Sequence, residues 1–222
     1  MAELSIVPSE KIFHSHRSIR NSITEVNEES LSHIDISDPL HYADGAEPLQ
    51  SLATSIGIEW NDNGLFVYFQ GRFDRLRMIS GNEKNEVNTK THKLWELSDV
   101  FEVFIGVNAK QTKLYKEFQV SPDARWIDID VNKQLGISNH YWHSGFQCKS
   151  FIDEGMKVWT SVLELPWSCF GLNKQTDDVW NANFYRATGK YHGEELLAWS
   201  PTGYGEKCFH RPEYFWKIEF IQ

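Results

Sequence analysis

This 222-residue chain has no apolar run long enough to span a bilayer and no cluster of lysines and arginines. The first absence excludes a transmembrane helix. The second, with a formal net charge of −9, argues against nucleic acid and anionic membrane surfaces as partners, because both are met by clustered cations. Cysteine is scarce too. Cys148, Cys169 and Cys208 stand far apart without a C-x-x-C spacing, which excludes a zinc ribbon or thioredoxin-like motif and leaves three buried, reduced thiols as the expectation. Internal repeats, low-complexity tracts and linkers are lacking. The N-terminus from Met1 to Pro8 has neither the basic start nor the apolar stretch of a signal peptide. The expectation is a cytoplasmic protein, or a secreted one whose leader has been removed; nothing in the residues sets the oligomeric state.

What the chain has in abundance is aromatic and strand-forming sequence. Apolar residues make up 41%, enough for a core that needs no metal or disulfide. Nine tryptophans exceed what a core requires, so several should reach a surface or cleft. Residues 55–60 and 65–69 flank Asn61-Asp62-Asn63-Gly64, whose Asn-Gly step supplies the positive φ angles of a hairpin turn. A second hairpin joins Phe101-Glu102-Val103-Phe104-Ile105 to Tyr115-Lys116-Glu117-Phe118-Gln119-Val120. With its turn near Lys110-Gln111, Glu102 lies across from Gln119 and Phe104 from Glu117, all four on one face. Strict alternation follows in Trp126-Ile127-Asp128-Ile129-Asp130-Val131. Further strands are expected at 146–152, 157–165, 182–188, 196–200 and 214–220, with a short helical turn at 166–170 and a polar loop at 81–91. Many short strands with almost no helix predict an all-β, antiparallel β-sandwich.

Catalytic and metal signals are weak. Glycosidases need two carboxyl groups flanking one bond. The pairs here are Glu102 with Glu117 and Asp128 with Asp130; the latter share one strand face, where solvated acids are routine. A Gly-x-Ser-x-Gly elbow is absent from the sequence. His140 and His143 have a spacing useful only on a helix, and His14 and His16 lie near the terminus, so both pairs read as surface histidines. The chain is therefore not expected to be an enzyme.

Three segments carry a likeness: Leu94-Trp95-Glu96-Leu97-Ser98-Asp99-Val100-Phe101-Glu102; Trp180-Asn181-Ala182-Asn183-Phe184-Tyr185-Arg186 followed by Ala198-Trp199-Ser200-Pro201; and Phe209-His210-Arg211-Pro212-Glu213-Tyr214-Phe215-Trp216. With the hairpin through Trp60 and the stretch Val162-Leu163-Glu164-Leu165-Pro166, their order and spacing resemble the carbohydrate-binding module family 9 group, which belongs with the DOMON-like β-sandwiches. The likeness covers residues 50–221. It implies one domain over 1–222, with 1–50 as a peripheral segment. It also implies non-catalytic binding of a mono- or oligosaccharide in an aromatic-walled cleft, in support of polysaccharide catabolism. Carried over residue by residue, Trp95 and Phe209 become the two stacking walls. Glu102 and Gln119 become hydrogen-bonding groups, with His210 as a helper. Three positions depart from the pattern: Phe209 stands where tryptophan is common, Gln119 where the best-known members have arginine, and Trp216 where glycine is usual. Some members carry structural calcium, but no ligands map onto this chain, so no cofactor is assigned.

Such residues suit a sugar because a pyranose has an apolar face and a rim of hydroxyls. Two rings each removing about 100 Å² from water contribute roughly 2.5 kcal/mol apiece at about 25 cal/mol per Å². Hydrogen bonds add about 1 kcal/mol each, against an association cost of at least about 4 kcal/mol. Micromolar to millimolar affinity follows. Each residue also has a plain structural use: Trp95 in the core, Glu102 and Gln119 as outward strand positions, Phe209 and His210 as anchors of the last strand. Two other functions stay open. One is a haem-binding DOMON-like domain, for which only Met78 and Met156 could serve as the methionine ligand. The other is a protein-interaction sandwich using Trp95 and Phe209.

Overall fold

A computed structural model describes residues 11–79, 89–108, 110–174, 179–188, 195–205 and 208–221. Its strands are β1 (Ile12–Arg17), β2 (Asp38–Pro39), β3 (His41–Tyr42), β4 (Thr54–Trp60), β5 (Gly64–Arg72), β6 (Val100–Gly106) and β7 (Leu114–Val120), then β8 (Trp126–Asn132), β9 (Ile137–Asn139), β10 (Gln147–Asp153), β11 (Val158–Pro166), β12 (Trp180–Ala187), β13 (Leu196–Ala198) and β14 (Trp216–Phe220). Two single-turn helices, α1 (Glu28–Leu31) and α2 (Leu94–Leu97), and a few 3₁₀ turns complete it. The main strand order is β10-β11-β5-β4-β1-β14-β12-β6-β7-β8-β9. None of the helices is long and apolar enough to cross a membrane among the described residues.

This one curled sheet closes on itself as a sandwich, and β1 is the seam. Its first four residues pair parallel to β14, from Ile12 opposite Lys217 to Ser15 opposite Phe220. Its last two residues, His16 and Arg17, pair parallel to β4. The N-terminal segment expected to lie peripherally therefore supplies the strand that joins the layers. Most other neighbours are antiparallel, as the alternation predicts, including β4 with β5 and β6 with β7.

Side chains on alternate positions fill the space between layers. Phe101 of β6 stacks on Phe69 of β5 at 4.8 Å and on Trp159 of β11 at 3.7 Å between ring centroids. Val103, Ile105, Phe118 and Phe184 join that core. All three cysteines are buried and unbridged, as expected. The alternation of β8 faces the opposite way from a simple reading. Ile127, Ile129 and Val131 belong to a second apolar cluster with Phe104, Tyr115 and Tyr185, on the outer side of the β6–β7–β8 layer. The acids point to the inner margin. Asp128, expected to be solvated, is fully buried and paired with Lys90 at 2.5 Å. A sheet margin lets one lysine reach inward and neutralise it.

The margin beside β4 is held by a buried cation. Arg186 donates from Nη1 to Leu52 O (3.1 Å), Thr54 Oγ1 (2.9 Å) and Arg72 O (2.7 Å). Gly71 makes room for it, since a Cβ there would stand 2.9 Å from that nitrogen. Burial depresses the guanidinium's pKa to about 10, opposed by the nearby Asp99 carboxylate. Replacing Arg186 by methionine would strand three acceptors in a dry interface, a change in the class that costs about 3–5 kcal/mol. Urea unfolding of Arg186→Met should show a midpoint shift of that size. A shift within about 0.5 kcal/mol of wild type would mean that the cation does not tie the layers.

Candidate functional site

The outer face of β12, β6, β7 and β8 carries most of the residues singled out from sequence. The β6–β7 register is the one expected: Glu102 opposite Gln119 and Phe104 opposite Glu117. Adjoining strands extend this into cross-strand rows. Tyr185, Glu102, Gln119 and Ile127 form one, and Asn183, Phe104, Glu117 and Ile129 the next. Cross-strand partners share a face, so an acid, an amide, a second acid and a phenol converge there.

These polar groups are buried. Glu102 is 3% exposed, Glu117 3% and Gln119 2%, which removes an outward, solvent-facing role for Glu102 and Gln119. Gln119 Nε2 donates to Glu117 Oε1 at 2.7 Å. Its carbonyl oxygen, Gln119 Oε1, is buried and has no hydrogen-bond partner among the described residues. Glu117 loses its water on folding, which pushes its carboxyl pKa up to about 8 against the opposing hydrogen bond from Gln119.

The segment leading to β14 lies across this face. Phe209 is buried, with its ring stacked on Tyr185 at 4.0 Å and 19°. The Tyr185 hydroxyl donates to Phe209 O at 2.8 Å. His210 Nδ1 meets the Tyr115 hydroxyl at 2.7 Å, and Lys133 Nζ donates to His210 O at 2.6 Å. Phe215 sets its edge toward Phe104 and Tyr115.

Trp95 sits at the margin of the same apolar cluster, half-buried on α2. Lys93 before it adopts a positive φ of 57°. Leu94 plugs the cluster and leaves the next indole at the surface. The helix is tied down by Arg77, whose Nη2 donates to Glu96 O at 2.8 Å while Asp99 accepts the Arg77 amide at 3.1 Å. Among the described residues, the ring facing Trp95 is His140, at 6.3 Å and 30°, rather than Phe209. His92 and the largely exposed Tyr141 lie together at 5.6 Å. The loop bearing His140 and Tyr141 is pinned through Asp128, which accepts Ser144 N at 2.6 Å, while Lys90 Nζ donates to Trp142 O at 2.5 Å. Partial burial, then the nearby His92 and Lys90, lower the His140 pKa.

The structure thus brings Glu102, Gln119, Phe209 and His210 onto one face and sets Trp95 at its edge. Sequence reasoning missed Tyr185, Tyr115, His140 and Tyr141, and did not assign a site role to Glu117. The strict alternation of β7, which put Glu117 on Gln119's face, was a usable signal; the loop residues offered none.

The chain matches no protein-family model. An "Extracellular protein" of Arthroderma benhamiae is 25% identical over 182 residues, covering 76% of this chain and 78% of that protein. A Bacteroides uniformis protein put forward as carbohydrate-binding has the same fold at a TM-score of 0.76 and 16% identity, over 96% of this chain and 100% of that chain. A family 9 carbohydrate-binding module from Caldicellulosiruptor kristjanssonii, in complex with cellotriose, aligns at a TM-score of 0.63 and 11% identity, over 95% of this chain and 93% of that chain. Its complex with glucose aligns at 0.65 and 11%, over 95% and 96%.

The buried acid makes a checkable prediction. Because burial raises the Glu117 pKa above that of an ordinary carboxyl group, the folded state holds the proton more tightly than the unfolded chain. Its contribution is fully present below the unfolded pKa and is lost as pH rises through about 8. Thermal melts of wild type and Glu117→Gln between these limits should show the wild-type Tm falling relative to the variant as pH rises. Parallel curves would mean that Glu117 is ionised throughout.

Proposed function

We propose that this chain is a non-catalytic carbohydrate-binding module of the family 9 type, taking its sugar beside Trp95 over the Glu102–Gln119 row. The observation that carries the reading is the partly exposed Trp95 indole, set at the margin of the Glu102–Gln119 face with the His140 ring across from it at 6.3 Å. The surroundings suit a polyol: Glu102 lies directly across the ladder from Gln119, the Glu117 carboxyl adjoins, and the Trp95 indole offers a flat face for ring C–H groups. The fold neighbours crystallised with cellotriose and glucose support the same reading. With Phe209 engaged by Tyr185, the ring available to oppose Trp95 on this reading is His140, and Tyr141 extends the platform outward. Polysaccharide catabolism is the setting such a module would serve.

Calorimetric titration with glucose, cellotriose and a wider glycan panel tests this. The wild type should bind a member of the panel in the micromolar to millimolar range. Trp95→Ala removes the stacking face, and Gln119→Leu removes the acceptor; each should weaken binding at least about tenfold. Heats that are identical in all three proteins would remove both residues from the site.

A further inference from the structure

A groove of about 450 Å³ lies on the outer face of the other layer, remote from the Glu102–Gln119 row. Its floor is two adjacent cross-strand rows. Ser55, Gln70, Thr160 and Phe151 form the first across β4, β5, β11 and β10. Arg72, Val158 and Asp153 form the second. Higher on the same face, Ile23, Val26 and Ile34 of the N-terminal segment cover Phe66, Tyr68 and Val162 as a small separate core. Within that cover lies α1, started by a capping box between Asn27 and Ser30. Leu31 and Glu28 then form the groove's end wall.

The lining is mixed. On the β4–β5 side stand Ser55, Gln70 and Arg72; on the β10–β11 side the apolar Phe151, Val158 and Met156 stand with the polar Thr160 and Asp153. Gln70 and Arg72 are exposed. The Arg72 guanidinium has no hydrogen-bond or ion-pair partner among the described residues, and Gln70 makes only a 3.5 Å contact to Thr160 Oγ1. An unengaged arginine and amide beside an apolar strip form an amphipathic trough, with a volume in the range of small-molecule sites.

We propose that this trough is a second carbohydrate-binding site, for a neutral oligosaccharide, with its hydroxyls on Gln70 and Arg72 and its C–H faces on Phe151 and Val158. The chemical class of the ligand rests on the sugar-binding reading above; the location does not. Charge excludes a strongly anionic ligand, because Arg72 is balanced by Asp153 and Glu28 on the rim. A peptide in extended form would seek free backbone groups, and the central floor strands offer none: β5 is paired by β4 and β11, and β11 by β5 and β10, so the free edge lies on β10 at the trough's margin. Recognition must run through side-chain donors and acceptors, which suits hydroxyl groups.

Amide and methyl NMR spectra of the whole protein, titrated with cellotriose, laminaritriose, xylotriose and mannotriose, decide the matter. The expected result is that one of these shifts signals of Gln70, Arg72, Phe151 and Val158, and still does so in Trp95→Ala. The combined change Gln70→Ala with Arg72→Ala, two exposed positions, should weaken that response at least about tenfold while leaving any response at Trp95 intact. Shifts confined to Trp95 and Gln119 would overturn the second site and leave the first standing. Shifts confined to the groove would do the reverse. Silence at both at millimolar sugar would overturn both. An amphipathic peptide that moves the groove signals where no sugar does would assign the trough to a protein partner and overturn the proposal.

Discussion

Phe101 between Phe69 and Trp159 is the contact on which the arrangement turns. Three stacked rings from three strands fix the separation of the two layers and the register of β6 at once, because a close-packed interior tolerates neither a gap nor an extra ring. Once Phe101 is committed inward, Glu102 must face outward, and the β6–β7 ladder then delivers Gln119 and Glu117 beside it. A slip of one residue would exchange the faces and put an acid in the stack. The candidate site is in this sense the reverse side of the core.

Much of the fold was legible. The hairpins at 54–72 and 100–120 and the short turn at Trp167–Phe170 were written in alternation, an Asn-Gly step and a proline. β1 was not, because Ile12 to Arg17 is a mixed, largely exposed strand whose identity comes from partners distant in sequence. β9 was not, because all three of its residues are exposed and carry no periodic signal. Alternation also reports that a strand has two faces without saying which is inner. In β8 the apolar set serves the outer cluster, and Asp128 turns inward to Lys90.

The candidate site was legible where it follows strand period and obscure where it depends on topology. Glu102 and Gln119 were found because two residues of the same hairpin meet by register alone. Tyr185 joins them only because β12 lies against β6. His140 reaches Trp95 because a buried ion pair on another strand anchors its loop. Neither relation has a local signature. The likeness of Phe209 to a stacking wall carried residue type but not its engagement with Tyr185, which is a matter of packing.

The parallel seam gives the molecule an order of assembly. β1 leaves the ribosome first among the strands, and its partner β14 leaves last. Its other partner, β4, offers only two paired positions, at His16 and Arg17. Most of β1 must therefore wait, unpaired, until nearly every other strand has been synthesised, and the loop closed by that contact is among the longest the fold contains. The sandwich can gather its central hairpins early, but its two layers are latched only once β14 has been made.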